Sequence, residues 1–147
     1  MNDALQQPPG EAHFRLLERL YHAAPSNGLT PARMVIGDGT AAATMQLEPA
    51  YRQAVGGVHG MLIFKLLDET GFYAANSRVL DVFLTTASLN TNFVAPPQGS
   101  LISATAHVLQ QARSSLLIEA SVFDEDRSML AHATGTFVRT RIKLPTS

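Results

Sequence analysis

The chain has no cysteine in its 147 residues. That excludes disulfides, thiolate-ligated metals and a thiol nucleophile, and it fits a reducing cytoplasm. Long apolar runs are also missing: none approaches the roughly 20 residues needed to cross a bilayer. The first residues, "MNDALQQPPGEAHFRLLERL", lack the basic-then-apolar order of a secretory signal. Charge is sparse, at 16% of residues with a formal net charge of -1. Such a balance gives no broad electrostatic footprint for nucleic acid, although it leaves room for a small local patch that takes a phosphate. There is no internal repeat, low-complexity tract, serine nucleophile elbow, P-loop or dinucleotide fingerprint. These absences predict a soluble, cytoplasmic protein without a membrane or nucleic-acid partner.

What is present suits one domain, with 46% hydrophobic residues over an ordinary domain length. Residues 1–10 are polar and proline-rich and read as a flexible arm, leaving 11–147 as a single domain. Phe14, Leu17, Leu20 and Tyr21 recur at helical spacing, which predicts an amphipathic helix over 11–23, broken by "APSNGLTP". Short strands are expected near Arg33–Ile36 and Ala41–Leu47, with "GDG" as their hairpin signal, and "EPAYRQAVGG" reads as a loop. A long, largely apolar helix follows over 59–76. "DVFLTTASLNTNFVA" is β-branched and aromatic, and "SLISATAHVLQQA" alternates with Ile102, Ala104, Ala106 and Val108 on one face. The remainder reads as two strands turning at Asp124–Arg127. The plan is thus a helix, two strands, one long buried helix and three long strands with short connections. A single apolar helix beside antiparallel strands predicts α+β architecture, with a curved sheet wrapped around the helix.

The long helix poses the chemical question, because "GGVHGMLIFKLLDETGFYAANS" puts a carboxylate, Asp68, in an apolar helix that opens on His59-Gly60. A plain reading pairs Asp68 or Glu69 with Lys65 and makes His59 a cap. A chemical reading starts from the helix end, whose free N–H groups and partial positive charge suit an oxyanion. Gly60 would let a carbonyl approach that backbone, and a carboxylate could attack it or activate water. Gly60 and Asp68 are eight residues apart, so about 12 Å at about 1.5 Å per residue. Reacting atoms must come within roughly 3 to 3.5 Å, so one helix cannot serve one carbonyl from both positions. An antiparallel, two-fold related second copy would bring Gly60 of one chain beside Asp68 of the other, twice per dimer.

"VHGMLIFKLLDETGFYAANS" followed by "ASLNTNFVAPPQG" resembles the hot-dog-fold acyl-CoA thioesterases of the phenylacetic-acid-degradation (PaaI) type, over roughly residues 30–140. His59-Gly60 opens the helix, Asp68 stands nine residues after the histidine, and Gln53 stands six before it. Thr86 falls eighteen residues after Asp68, where some members carry a Ser or Thr near the attacking water. The resemblance implies a hot-dog fold, a homodimer often paired into a dimer of dimers, and hydrolysis of acyl-CoA to a carboxylic acid and CoA. It implies no metal and no cofactor beyond the CoA of the substrate. Asp68 would be base or nucleophile, and the Gly60 N–H of the other subunit would polarise the carbonyl. Gln53 and His59 would orient the thioester or the helix start, and Thr86 would support the water. Met61, Phe64, Phe72 and Phe93 would line the acyl pocket. Arg113 and Ser114, in "QARSS", would reach the adenosine phosphate.

Two departures stand out. The family usually reads His-Gly-Gly, whereas Met61 follows Gly60 here, and Phe72 occupies a position where some relatives carry a hydroxyl. Two other functions remain in view: an acyl-thioester dehydratase or hydratase, disfavoured because His59 and Asp68 share one helix, and a non-catalytic acyl-CoA binding domain. His107 and His132 have no partner at metal-ligand spacing, and Asp124-Glu125-Asp126 reads as a solvated turn.

Overall fold

The computed structural model describes residues 10–146. Residues 1–9, and with them nearly all of the expected arm, lie outside the described residues. The chain order is α1 (Glu11–Ala23), α2 (Pro25–Leu29), β1 (Arg33–Gly37), β2 (Thr40–Gln46), a 3-10 turn (Pro49–Tyr51), α3 (Gly60–Asn76), then β3 (Val82–Phe93), β4 (Leu101–Gln111), β5 (Ser115–Phe123) and β6 (Met129–Lys143). The six strands form one antiparallel sheet in the order β1-β2-β4-β5-β6-β3. One long helix against a curved antiparallel sheet is the hot-dog fold.

Four long strands follow α3 rather than the three of the sequence plan, because Val82–Phe93 pairs with β6 along most of its length. The broken segment after α1 also contains structure. Asn27 bonds both the carbonyl and the amide of Ala32, which closes a short helix that no local pattern announces.

Alternation decides which faces meet. Ala41, Ala43 and Met45 of β2, Ile102, Ala104 and Ala106 of β4, and Leu116, Ile118, Ala120 and Val122 of β5 are buried, and their sequence neighbours point away from the core. The expected inward run on β4 stops short of Val108, which is only half-buried where a bulge shifts the register. Many of the inward residues are alanines, so α3 sits close to the sheet. Its buried side is Leu62, Ile63, Leu66, Leu67, Thr70, Gly71, Ala74 and Ala75, a wide stripe at helical spacing. Each fully buried leucine there contributes about 1.5–3 kcal/mol. At Gly71 the approach is tightest, since a Cβ would stand 2.8 Å from Ile118 Cδ1 and 3.2 Å from Phe137 Cε2.

Both ends of α3 are pinned by side chains. His59 is the N-cap, its Nδ1 accepting from the Met61 amide at 3.0 Å. At the other end Asn76 donates to the carbonyls of Val79 and Val82 and accepts from the Leu84 amide. That one buried amide turns the chain from helix into β3 and fixes where β3 starts. On the α1 side, the Tyr21 hydroxyl donates to Glu69 at 2.7 Å, and Lys65 pairs with the same carboxylate at 2.9 Å. Lys65 therefore faces α1 with Glu69, which leaves Asp68 on a different side of the helix.

Candidate active site

Asp68 is half-buried and lies on the flank of α3 toward β3. Its Oδ1 accepts a 2.7 Å hydrogen bond from Thr86 Oγ1. Thr86 reaches it from an edge strand whose only partner among the described residues is β6. The β3–β6 register slips between Thr86 and Ser88, so Ala87 has no counterpart on β6. Bulges of this kind re-aim side chains locally. Asp68 and Thr86 are thus together, and among the described residues neither is paired with a cation.

The helix start forms a second cluster. Gln53, Gly57, Val58, Gly60, Ile63 and Phe93 surround a cleft of about 350 Å³, closed on one side by Val94–Pro97. The Gly60 amide has no hydrogen-bond acceptor among the described residues, being one of the unpaired donors of the first helical turn. The Phe93 ring lies beside it, with Cε1 3.5 Å from where a Gly60 Cβ would stand. The Gln53 side-chain oxygen accepts from the Val55 amide at 2.8 Å, and its backbone bonds Gly56 and Gly57, so this residue folds the loop ahead of the helix. Its side-chain nitrogen, near Gly57, remains on the cleft side.

The far wall of the cleft is fixed independently. Val94 and Ala95 donate to the Leu130 carbonyl. Ser100 donates from both its amide (2.7 Å) and its hydroxyl (3.0 Å) to Glu125. The backbone N–H of Ser100, then its hydroxyl, hold the Glu125 carboxyl below its ordinary value. From the sequence alone Glu125 reads as part of a solvated turn. The partner that gives Glu125 its role lies 25 positions away.

Met61 (58% exposed) and Phe64 (41%) stand on the open side of α3, and Phe93 (56%) and Val94 (61%) stand nearby on the β3 end. Phe72 does not join them. Its ring packs edge-on against Phe137 and Tyr73 at the core boundary. Arg113 and Ser114 are exposed on the β4–β5 hairpin. His132 and His107 face one carboxylate across three strands, Glu119, at 2.7 and 3.4 Å. Among the described residues no group of three or more His, Cys, Asp or Glu is placed to hold a metal ion. Among the described residues no helix is long and apolar enough to cross a membrane.

The fold and the two clusters define a helix-in-sheet protein with an amide-bearing helix start and a carboxylate on the same helix. Residues 55–131 match the family model described as the thioesterase superfamily. The chain belongs to that superfamily. A Saccharolobus solfataricus protein named as a putative esterase is 30% identical over 87 residues, which is 57% of this chain and 57% of that protein. The chain therefore matches little more than half the length of that curated relative. The Escherichia coli PaaI protein from the phenylacetic acid degradation operon superposes with a TM-score of 0.84 at 17% identity, covering 93% of this chain and 99% of that one. A conserved protein from Pseudomonas aeruginosa gives 0.76 at 26% identity, over 83% of this chain and 98% of its own. A thioesterase family protein from Silicibacter pomeroyi gives 0.77 at 22% identity, over 88% and 97%.

Proposed function

We propose that the chain hydrolyses acyl-CoA thioesters at a site shared between two copies. The observation that carries this reading is the separation of its two functional clusters along one unbroken helix. Asp68 with Thr86 lies two turns from the free Gly60 amide, about 12 Å at about 1.5 Å per residue. The edge of β3 is open, and Met61, Phe64 and Phe93 expose apolar surface beside it. A long open edge and an apolar patch both favour a partner. Pairing β3 with β3 of a second copy, antiparallel, lays the two α3 helices side by side and head to tail. Gly60 of one then faces Asp68 of the other, and the two-fold axis makes two sites.

In such a site the thioester oxygen takes the Gly60 N–H, and the carbonyl carbon lies near Asp68. Acting as base, the Asp68 carboxylate takes a proton from water as the water oxygen bonds to the carbonyl carbon. The tetrahedral oxyanion stays on the Gly60 amide while it forms. Its collapse breaks the C–S bond, and the proton passes from Asp68 to the departing sulfur, giving carboxylic acid and CoA. If Asp68 attacks directly, an acyl anhydride forms first and water then cleaves it. Thr86 fixes the Asp68 rotamer in either case. The Gln53 amide nitrogen can donate to the thioester, while His59 acts by capping and leaves Gly60 free. Met61, Phe64 and Phe93 supply the apolar wall for the acyl chain.

Thiol release from a panel of aliphatic and aromatic acyl-CoA esters tests the reading. Asp68→Ala and Asp68→Asn should each lose about 10²–10⁴ in kcat, the usual contribution of a positioned base. Hydrolysis at full rate in either variant removes Asp68 from the reaction. Single turnover in ¹⁸O water tests direct attack: label enters the Asp68 carboxylate only where an anhydride has formed and water has opened it at the Asp68 carbonyl.

A further inference from the structure

The sheet has a second edge, β1, and side chains of α1 and α2 occupy it where a strand would otherwise pair. At Ile36, Glu18 accepts from the N–H at 2.8 Å and Arg15 donates to the carbonyl at 3.0 Å. At Met34, His22 Nε2 accepts from the N–H at 3.0 Å. At Ala32, just before β1, Asn27 accepts from the N–H at 3.0 Å and donates to the carbonyl at 3.1 Å. Arg15, Glu18, His22 and Asn27 thus follow the edge in order from Ile36 back to Ala32. Alternation explains the register. Ala32, Met34 and Ile36 turn their side chains into the core, and their N–H groups meet the helices instead of β2. Arg15, Glu18 and His22 recur at helical spacing, so one face of α1 serves the whole strand.

Uncovered edges pair with other strands, and side chains that fill the edge prevent this. The His22 bond is the proton-sensitive part of the cover. An imidazole nitrogen accepts only while it carries no proton, and the imidazolium has two donors and no acceptor. Proton uptake therefore sets a donor against the Met34 N–H, in the middle of the edge. Around His22, the charged and titratable groups are Glu18, Arg15 and Arg19 on α1 and Arg33 beside Met34 on β1. Neither α2 nor β2 carries any. α3 reaches this end of α1 through Tyr73, packed edge-on against Tyr21, and through Glu69 and Lys65 at the Tyr21 hydroxyl. Among these side-chain types, only histidine ordinarily changes charge between about pH 8 and pH 5. Glu18 stands one turn before His22 and offers the imidazolium a carboxylate, in competition with the Ile36 N–H.

We infer that α1 is a proton-released guard on the β1 edge. With His22 neutral it keeps β1 from pairing, and with His22 protonated the edge opens to β1 of a second copy. A second copy fits because β1 against β1, antiparallel, is a two-fold contact that fills both edges at once. Val35, 56% exposed on β1, adds an apolar side chain beside a groove of about 440 Å³ lined by Ala42, Thr105 and His107. How far assembly proceeds rests on the β3 pairing proposed above. A dimer built that way has its two β1 edges at opposite ends, so opened dimers join end to end.

Sedimentation of the whole protein between pH 8 and pH 5 tests the inference, with hydrogen exchange of the Met34 and Ile36 amides in dilute protein. Exchange is read against the unstructured rate at each pH. From pH 8 to pH 5, wild type should lose about tenfold in protection at both amides, and larger species should appear at high concentration. His22→Gln keeps an oxygen that accepts at either pH, and it should stay protected and of constant size. His22→Lys cannot accept, and it should be open and associated already at pH 8. Growth in steps of two chains supports the guard and the β3 dimer together. A monomer at pH 8 that becomes a dimer at pH 5 keeps the guard and discards the β3 pairing. Loss of protection without association overturns the second copy as partner. Unchanged protection in wild type overturns the guard. So does a His22→Gln protein that responds like wild type, since the response then belongs to another histidine.

Discussion

The Thr86 hydroxyl donates a 2.7 Å hydrogen bond to the Asp68 carboxylate, joining the open edge strand to the central helix. A hydrogen bond to a charged group is worth about 1.5–3 kcal/mol when buried, and less at this exposed position. Thr86→Val should lower kcat about tenfold, equivalent to about 1.4 kcal/mol, with KM little changed. Thr86→Ser keeps the donor and should recover most of the rate. Steady-state kinetics on the best acyl-CoA of the panel decides this. Equal losses in Ser and Val would assign the effect to strand packing instead.

Glu125 holds the cleft wall through Ser100. Releasing it frees the Val94–Ser100 segment without touching Asp68 or Gly60. Glu125→Ala should therefore raise KM several-fold and leave kcat nearly intact. Glu125→Gln retains an oxygen acceptor for both Ser100 donors and should behave close to wild type. A matching fall in kcat for both variants contradicts a positioning role.

Gly71 sets the distance between helix and sheet. Alanine improves intrinsic helix propensity by about 1 kcal/mol over glycine. Against this, its methyl would lie 2.8 Å from Ile118 Cδ1, and Ile118 and Phe137 are fully buried with no room to withdraw. Overpacking of this kind costs typically 1–3 kcal/mol. The clash should win, so Gly71→Ala should melt several degrees below wild type in a thermal scan. An unchanged or raised melting temperature would show that the sheet yields.

All three tyrosines resist ionisation. Burial, and then the charge of Glu69, push the Tyr73 phenol up to about 12. Tyr21 is raised further by burial and by its bond to Glu69, and Tyr51 is raised mainly by burial. Their neutral forms are favoured in the folded state. Stability from this source is therefore complete below the unfolded value of 10.0 and is lost as pH climbs from 10 toward 12 and beyond. Phenolate absorbance should appear late in native protein and near pH 10 in denaturant. Simultaneous native and denatured titration curves would contradict the burial of these rings.

Much of this was legible locally. The apolar run of α3, its His59 cap and the alternation of β2, β4 and β5 are short-range patterns, and they placed the helix in the sheet. If the helix is catalytic, the spacing of Gly60 and Asp68 asks for a second copy. What depended on distant contacts was hidden. The choice of Glu69 over Asp68 as the partner of Lys65 is made by Tyr21, 44 positions before Lys65. Phe72 has the character of a pocket residue, but Phe137 draws it toward the core. Arg113 could be read as a hairpin charge, while Arg78 and Arg139 share a cavity with it only once the sheet has formed. The short α2 depends on the bonds Asn27 makes to Ala32, which the Pro-Ser-Asn-Gly composition reads as a break.

The shared site can be tested by mixing two disabled chains. Gly60→Pro deletes the amide proton at the first helical position, where proline is tolerated, and Asp68→Ala deletes the carboxylate. Each protein alone should be nearly inactive. Unfolded together in equal amounts and refolded, half of the dimers should be mixed. Each mixed dimer should hold one intact site of two, so about a quarter of wild-type activity should return. No recovery from a mixture shown to contain mixed dimers would mean that Gly60 of one chain does not serve Asp68 of the other.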